Sequence, residues 1–394
     1  MPGTVVDGHR LDLLPCGPDR FNALLALIDS ATRELQLFFY IVTDDDHGAM
    51  LRDSLVRACE RHVAVTLLVD GFGSEQLPDS WFTPLRASGA RCARFLPGWG
   101  RKYVLRNHQK LAIADRARVI LGGCNIASPY FTESSDGDNW TDLMVRVEGP
   151  RVAALAAYFD DLDRWIHSPS SGLRSFRALL LHHSHQPPEG RVRWLFSGPF
   201  ARISPFSLDL RHLVSTARTM DIVAAYFAPT PGMIRRMGRM AQRGLMRIIT
   251  PSRSDNRITI QAARHCYGRL LRQGVRIAEY QPARLHMKLI VADEHVYIGS
   301  ANFDVRSQFI NAELMLRVSD AGFAAQVRSL IDRLEIDSRP ITQAKLDRAN
   351  GFWGRLLWRL SYYVVVTLDP TVTRRLLSRV LQAERELESS FHAQ

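Results

Sequence analysis

The pattern H-x-K-x4-D occurs twice in this chain, as HQKLAIAD from His108 and as HMKLIVAD from His286, and both copies run on to G-[GS]-x-N. With 13 histidines, four lysines and 27 aspartates available, about 0.01 matches to the first pattern are expected by chance. Two copies therefore demand a duplicated unit. On a strand, residues i and i+2 face the same side, so His108 and Lys110 point together into one cleft, as do His286 and Lys288. The apolar run after each lysine anchors the strand in a core. Asp115 and Asp293 fall at the hairpin turn that ends the strand, and Asn125 and Asn302 follow on the next one.

The surroundings of the two motifs repeat as well. A helix over Arg20–Ile28, a strand over Leu35–Val42, a helix over Gly48–Arg61 and a buried strand over Val63–Ser74 precede the first motif. A helix over Leu208–Ala217, a strand over Met220–Thr230, a helix over Pro231–Arg243 and a strand over Leu245–Asp255 precede the second. LFFYIV matches IVAAYFAP in position, and TLLVDGFGS matches RIITPSRSD; Tyr40 lies 68 residues before His108 and Tyr226 lies 60 before His286. The expected fold class is therefore α/β, internally duplicated, with two mixed β-sheets flanked by helices and the active site between the halves. Residues 1–167 form the first half, a Ser-, Pro- and Gly-rich stretch over 168–190 a linker, 191–338 the second half, and 339–394 an amphipathic helical tail.

Charge narrows the ligand. Lys and Arg number 51 against 40 acidic residues, for a net +11, which suits a polyanion such as nucleic acid or anionic lipid. Only four of the 51 are lysines, and two of those four sit in the motifs. Burying two lysines beside two histidines is costly unless an anion neutralises them, so the site calls for a phosphate. The five cysteines are scattered without C-x-x-C spacing, so a reducing compartment is expected. No other His, Cys or carboxylate set shows metal spacing, and no cofactor is expected. No secretory h-region and no 18-residue apolar run are visible.

With these motifs the chain resembles the phospholipase D superfamily over roughly Leu11–Ser319. NFDVRSQFINAELML (Asn302–Leu316) and NWTDLMVRVEGP (Asn139–Pro150) look most like the corresponding segments of bacterial cardiolipin synthases. Two departures stand out: Gly123 where the family usually has Ser or Thr, and five rather than six residues between Asp293 and Gly299. The resemblance implies a phospholipase D-like fold and a metal-free, two-step phosphatidyl transfer. It implies a catalytic set of His108, Lys110, Asp115, His286, Lys288 and Asp293, with His108 as nucleophile and His286 as acid and base. Asp115 and Asp293 are expected to brace the hairpins more than to touch substrate. Asn125, Ser300 and Asn302 would bind phosphate, Ser300 replacing what Gly123 lacks. Asp142 and Glu313, 34 and 27 residues after their histidines, would each orient the imidazole of its own half.

The tail bears on which phosphodiester is used. GFWGRLLWRLSYYVVVTLDP (Gly351–Pro370) places Phe352, Trp353, Leu356, Leu357, Leu360 and Tyr363 at helical spacing with Arg355 and Arg359 between them, a mixture suited to a membrane interface or to packing on the protein's own core. A second amphipathic stretch follows at Thr373–Leu387. The expectation is a peripheral enzyme on the cytoplasmic side of the cell membrane, held there by its C-terminal helix. It would join two molecules of phosphatidylglycerol, an anionic phospholipid, and release glycerol, with no nucleic-acid partner. Hydrolysis to phosphatidic acid and a nucleic-acid phosphodiesterase are the alternatives: an apolar passage to both histidines marks the lipid enzyme, a long basic groove the nuclease.

Overall fold

The computed structural model describes residues 3–96, 104–133, 137–168, 171–184, 190–200, 203–349 and 351–391. In the first half the strands are β1 (Thr4–Val6), β2 (His9–Leu14), β3 (Glu34–Phe39), β4 (Ala64–Asp70), β5 (Arg91–Phe95), β6 (Lys110–Ala114), β7 (Arg118–Gly122), β8 (Trp140–Thr141) and β9 (Met144–Glu148). In the second they are β10 (Val192–Ser197), β11 (Thr219–Ala224), β12 (Phe227–Ala228), β13 (Leu245–Pro251), β14 (Arg276–Tyr280), β15 (Arg284–Leu285), β16 (Lys288–Ala292), β17 (His295–Gly299), β18 (Phe303–Asp304), β19 (Glu313–Ser319) and β20 (Ser338–Ile341).

Two mixed eight-stranded sheets result, in the orders β1-β2-β9-β7-β6-β3-β4-β5 and β10-β19-β17-β16-β11-β13-β14-β20. From β2 to β5 and from β10 to β14 the seven places correspond one to one, so the duplication in the sequence is a duplication of topology. β3, β4 and β5 run parallel, as do β11, β13 and β14, while the motif strands β6 and β16 lie antiparallel beside them. The parallel strands read as near-continuous apolar runs because both their faces are covered. The sheets share an inner core in which Leu111, Leu121, Val145 and Val147 meet Leu289, Val291, Ile298 and Leu316; each sheet keeps a separate outer core against its own helices.

The expected linker is mostly structure. Leu173–Ser184 is a helix whose Leu173, Phe176 and Leu180 are fully buried in the inner core, and Phe176 lies 5.0 Å from Trp165. Its Ser, Pro and Gly residues flank a helical i, i+3, i+7 apolar stripe. Residues 169–170 and 185–189 of that stretch lie outside the described ones.

The tail runs as a helix over Phe352–Tyr363, a π-helical turn over Val364–Leu368 and a helix over Asp369–Phe391. One face packs on the protein. Trp358 is buried, Ser361 donates to Gln261 at 2.7 Å, the Tyr362 hydroxyl donates to the Pro229 carbonyl at 2.8 Å, and Arg306 grips both oxygens of Asp369 at 2.9 Å. Farther along, Leu376, Leu377, Val380 and Leu381 join the inner core. The other face is bare: Phe352, Trp353, Leu357, Leu360, Tyr363, Val364, Leu368 and Val372 are half of the sixteen exposed large hydrophobic residues among those described. No described helix is long and apolar enough to cross a membrane.

Candidate active site

Each motif histidine stands just ahead of its strand, and the chain leading to it pairs with the opposite half. The His108 amide donates to the Ala312 carbonyl at 2.8 Å, and Asn107 bridges Ala312 in parallel. The His286 amide donates to the Thr141 carbonyl at 2.8 Å, and β15 pairs in parallel with β8. Glu313 follows Ala312 and Asp142 follows Thr141, so the carboxylates are delivered across the interface. His108 Nδ1 lies 2.9 Å from Glu313 Oε2, and His286 Nδ1 lies 2.7 Å from Asp142 Oδ2. The pairing expected within each half is therefore corrected to a crossed one. Within a half, β9 or β19 is separated from the motif strand by β7 or β17, which keeps a carboxylate from its own histidine. With Nδ1 turned to a carboxylate, Nε2 is the nitrogen each ring has left for a substrate.

Lys110 and Lys288 are 1% and 4% exposed, and each ammonium donates to the carbonyl of its own motif histidine. Lys110 Nζ also sits 4.9 Å from the Tyr40 ring centroid. Burial pushes the two lysines down, to about 7 for Lys110 and about 8 for Lys288. Burial and then the neighbouring lysine push His108 well below the ordinary imidazole value; the same two causes take His286 to about 4, against the pull of Asp142. The two carboxylates differ. Burial drives Glu313 up to about 7 although Lys110 opposes it, whereas on Asp142 the same burial is outweighed by His286 and Lys288, which hold it below the ordinary value.

The motif aspartates stand apart from this cluster, at the far ends of β6 and β16. Asp115 accepts from the amides of Thr32, Arg33 and Glu34, and Asp293 from those of Arg218 and Thr219. Both adopt the left-handed backbone, with φ of 53° and 48°, which Asp tolerates at turns. They brace the hairpins; they do not line the cleft.

Ser300 is corrected too. Its hydroxyl donates to Glu313 Oε2 at 2.6 Å and accepts from the Leu314 amide at 3.1 Å, so it steadies a carboxylate and is not left for phosphate. At its counterpart, a Cβ on Gly123 would lie 2.3 Å from Asp142 Oδ1: Asp142 fills the space a side chain would occupy. Gly122 and Gly299, the first letters of G-[GS]-x-N, face the neighbouring strand so closely that a Cβ would lie 2.3 and 2.2 Å from the carbonyls of Leu143 and Leu314. Asn125 lines the cleft with its amide engaged, Oδ1 accepting from Ile41 N–H at 3.2 Å and Nδ2 donating to the Tyr130 hydroxyl at 3.0 Å. Asn302 lines it with an Oδ1 that has no hydrogen-bond partner among the described residues.

The two histidines share one cavity of about 690 Å³. Aromatic rings frame them: Tyr40 is 4.6 Å from His108, and Tyr130 and Trp140 are 5.2 and 5.1 Å from His286. Arg106, Tyr226, Asp255 and Asn311 complete polar walls. Sequence reasoning used Tyr40 and Tyr226 only as markers of the repeat; laying one half on the other would have placed both beside a histidine. The exposed lining of the cavity is apolar at Ile258 and at Val364, Leu368 and Val372 of the tail, and polar at Asp255 and Asn256. Outside the cleft, Asp161, His182 and His183 bring three potential ligand atoms within 4.8 Å of one another, a grouping the sequence spacing did not reveal; Asp161 is already paired with Arg164.

The family described as cardiolipin synthase, PLD-like domain, matches residues 24–162 and 210–335. Among curated relatives, cardiolipin synthase A of Pseudomonas putida is 32% identical over 343 residues, covering 85% of this chain and 70% of that one. Cardiolipin synthase A of Pseudomonas entomophila is 32% identical over 345 residues with the same coverage. Among solved structures, phosphatidylserine synthase from Haemophilus influenzae superposes with a TM-score of 0.70 at 14% identity, covering 92% of this chain and 94% of that one. Polyphosphate kinase from Porphyromonas gingivalis gives 0.53 at 15% identity, covering 85% and 49%. These two show the fold.

Proposed function

We propose a reaction for this chain on the premise that it belongs to the cardiolipin synthase family of phospholipase D-like proteins and is a phospholipid phosphatidyltransferase: it joins two phosphatidylglycerols and releases glycerol. The observation that carries the reading is the pair of crossed His–carboxylate dyads in one cleft, whose exposed lining includes the apolar Ile258, Val364, Leu368 and Val372. Two imidazoles on one phosphorus can divide the work of nucleophile and proton carrier. That apolar part of the lining admits the glycerol-backbone end of a lipid more readily than a polyanionic strand.

The two carboxylates support a division of labour. A nucleophile must be neutral, and Glu313, held near 7 by burial, puts less negative charge behind His108. An acid must hold a proton; in the empty cleft burial and Lys288 keep His286 at about 4, so it takes up its proton as the anionic phosphodiester binds, with the ionised Asp142 favouring the cation. In the first step His108 Nε2 attacks phosphorus, the P–N bond forms, and the P–O bond to glycerol breaks as His286 delivers its proton to the leaving oxygen. In the second, a glycerol hydroxyl of another phosphatidylglycerol gives its proton to His286 and bonds to phosphorus as the P–N bond breaks. Lys110, Lys288 and Asn302 stabilise charge on the phosphoryl oxygens. Nucleophile, proton carrier and cations all come from the chain, so activity is expected to persist in EDTA.

The bare face of the tail, with Arg355 and Arg359 exposed beside it, fits a peripheral enzyme docked on anionic lipid; the five free cysteines fit the cytoplasmic side. The test is incubation with phosphatidylglycerol vesicles, followed by lipid chromatography, for the wild type, His108→Ala and His286→Ala. Cardiolipin from the wild type alone supports the reading. Phosphatidic acid as sole product makes the enzyme a hydrolase, and cleavage of DNA with no lipid turnover overturns the lipid reading.

A further inference from the structure

The cleft is pseudo-symmetric in its histidines but not in its walls. β4 and β13 hold the same place in their sheets, and the chain leaving each turns back beside the matching tyrosine. Four residues beyond β4, Ser74 donates its hydroxyl to the Tyr40 carbonyl at 3.0 Å and is buried. Four residues beyond β13 the counterpart is Asp255, which lines the cleft. Its Oδ1 accepts from the Tyr226 hydroxyl at 3.0 Å and from Ser254 Oγ at 2.8 Å, and the Tyr226 ring lies 6.5 Å from that of His286. Among the described residues Asp255 forms no ion pair, in a chain with 51 Lys and Arg. Arg106 lines the same cleft on the first half's side.

A carboxylate held in no ion pair on the wall of a phosphodiester cleft repels phosphate. What it meets must donate hydrogen bonds and carry no negative charge. We propose that Asp255, fixed by Tyr226, is the specificity-determining wall of an alcohol subsite beside His286, and that it selects polyols by accepting hydrogen bonds from the hydroxyl that does not react. This rests on the lipid-transfer reading, in which the leaving and entering alcohols both exchange a proton with His286. The reacting hydroxyl passes its proton to His286 as its oxygen bonds to phosphorus and the P–N bond breaks; the neighbouring hydroxyl keeps its proton and shares it with Asp255.

The experiment offers the full-length enzyme phosphatidylglycerol with equal concentrations of labelled glycerol and 1-propanol and measures the ratio of the two phosphatidyl products, with ethanolamine replacing propanol in a second arm. The wild type is expected to favour glycerol in both arms. Asp255→Ala is expected to lower the glycerol-to-propanol ratio about tenfold, the loss of one hydrogen bond to a charged group, with Asp255→Asn intermediate and Tyr226→Phe lowering it less. Because the readout is a ratio within one tube, a general loss of fold or rate does not mimic it. An unchanged ratio in Asp255→Ala while both products fall overturns the subsite and leaves the transferase reading standing. A wild-type preference for ethanolamine overturns the polyol assignment in favour of a cationic alcohol. No phosphatidyl product from the wild type with any alcohol overturns the lipid reading and the subsite with it.

Discussion

Crossing of the dyads gives each orienting carboxylate a separable job. If His286 protonates the leaving alcohol, Asp142→Asn should slow turnover of phosphatidylglycerol by on the order of 100-fold or more, because the tautomer and the imidazolium both lose support. A phosphatidyl donor with a p-nitrophenol leaving group needs little protonation, so its cleavage by Asp142→Asn should recover most of that loss. Glu313→Gln acts on His108 and should stay slow with both donors. Burst kinetics with the two donors check this, and rescue of Glu313→Gln in place of Asp142→Asn would exchange the two roles. The histidines, lysines and carboxylates were all legible in the sequence because the motif repeats. Their partnership was not, since it depends on which strand ends meet across two sheets. Lys110 carries a second consequence. Its folded value of about 7 lies below its ordinary 10.5, so between those limits the folded chain binds fewer protons than the unfolded one, and its contribution to stability rises with pH. Lys110→Met should therefore exceed the wild type in Tm most clearly near pH 6, with the advantage shrinking toward about pH 10; a constant difference across that range would contradict it.

At the scale of elements, helix Leu173–Ser184 decides whether the segment between the halves is a tether or part of the core. Phe176 is fully buried between the sheets, so Phe176→Ala should cost about 3–5 kcal/mol, read as a fall in the denaturant midpoint; a tether residue would cost nothing measurable. The Ser-, Pro- and Gly-rich composition of that stretch hid an apolar stripe of only three residues, too few to outweigh the turn signals on either side. The end of β7 is under a tighter constraint. Gly123→Ala places a Cβ against the Asp142 carboxylate, so it should misplace Asp142 and mimic Asp142→Asn, including recovery with the p-nitrophenyl donor. Gly123 looked in the sequence like a lost phosphate contact. Ser300, its counterpart, is hydrogen-bonded to Glu313, so the difference between the halves concerns how each carboxylate is held.

For the molecule as a whole, the important relation is between the cleft and the tail. Val364, Leu368 and Val372 belong both to the cleft mouth and to the exposed apolar row that continues through Leu360, Leu357 and Trp353. A bilayer that receives the row would therefore also meet the cleft lining. Sequence periodicity found the row but left open whether it faced the core or a membrane; in the structure Trp358 and Ser361 turn inward and the row is exposed. Trp353, Leu357 and Leu360 are 77%, 49% and 53% exposed, so replacing all three by Ser should leave Tm nearly unchanged. Losing that apolar area from a membrane contact costs on the order of 3 kcal/mol, roughly a hundredfold in partitioning. The triple variant should thus sediment poorly with phosphatidylglycerol vesicles and turn them over at least about tenfold more slowly. On a short-chain phosphatidylglycerol kept below its micelle concentration it should match the wild type, because the row is not part of the chemistry. Equal losses on vesicles and on the monomeric lipid would mean that the row supports the cleft itself and that the membrane is met elsewhere.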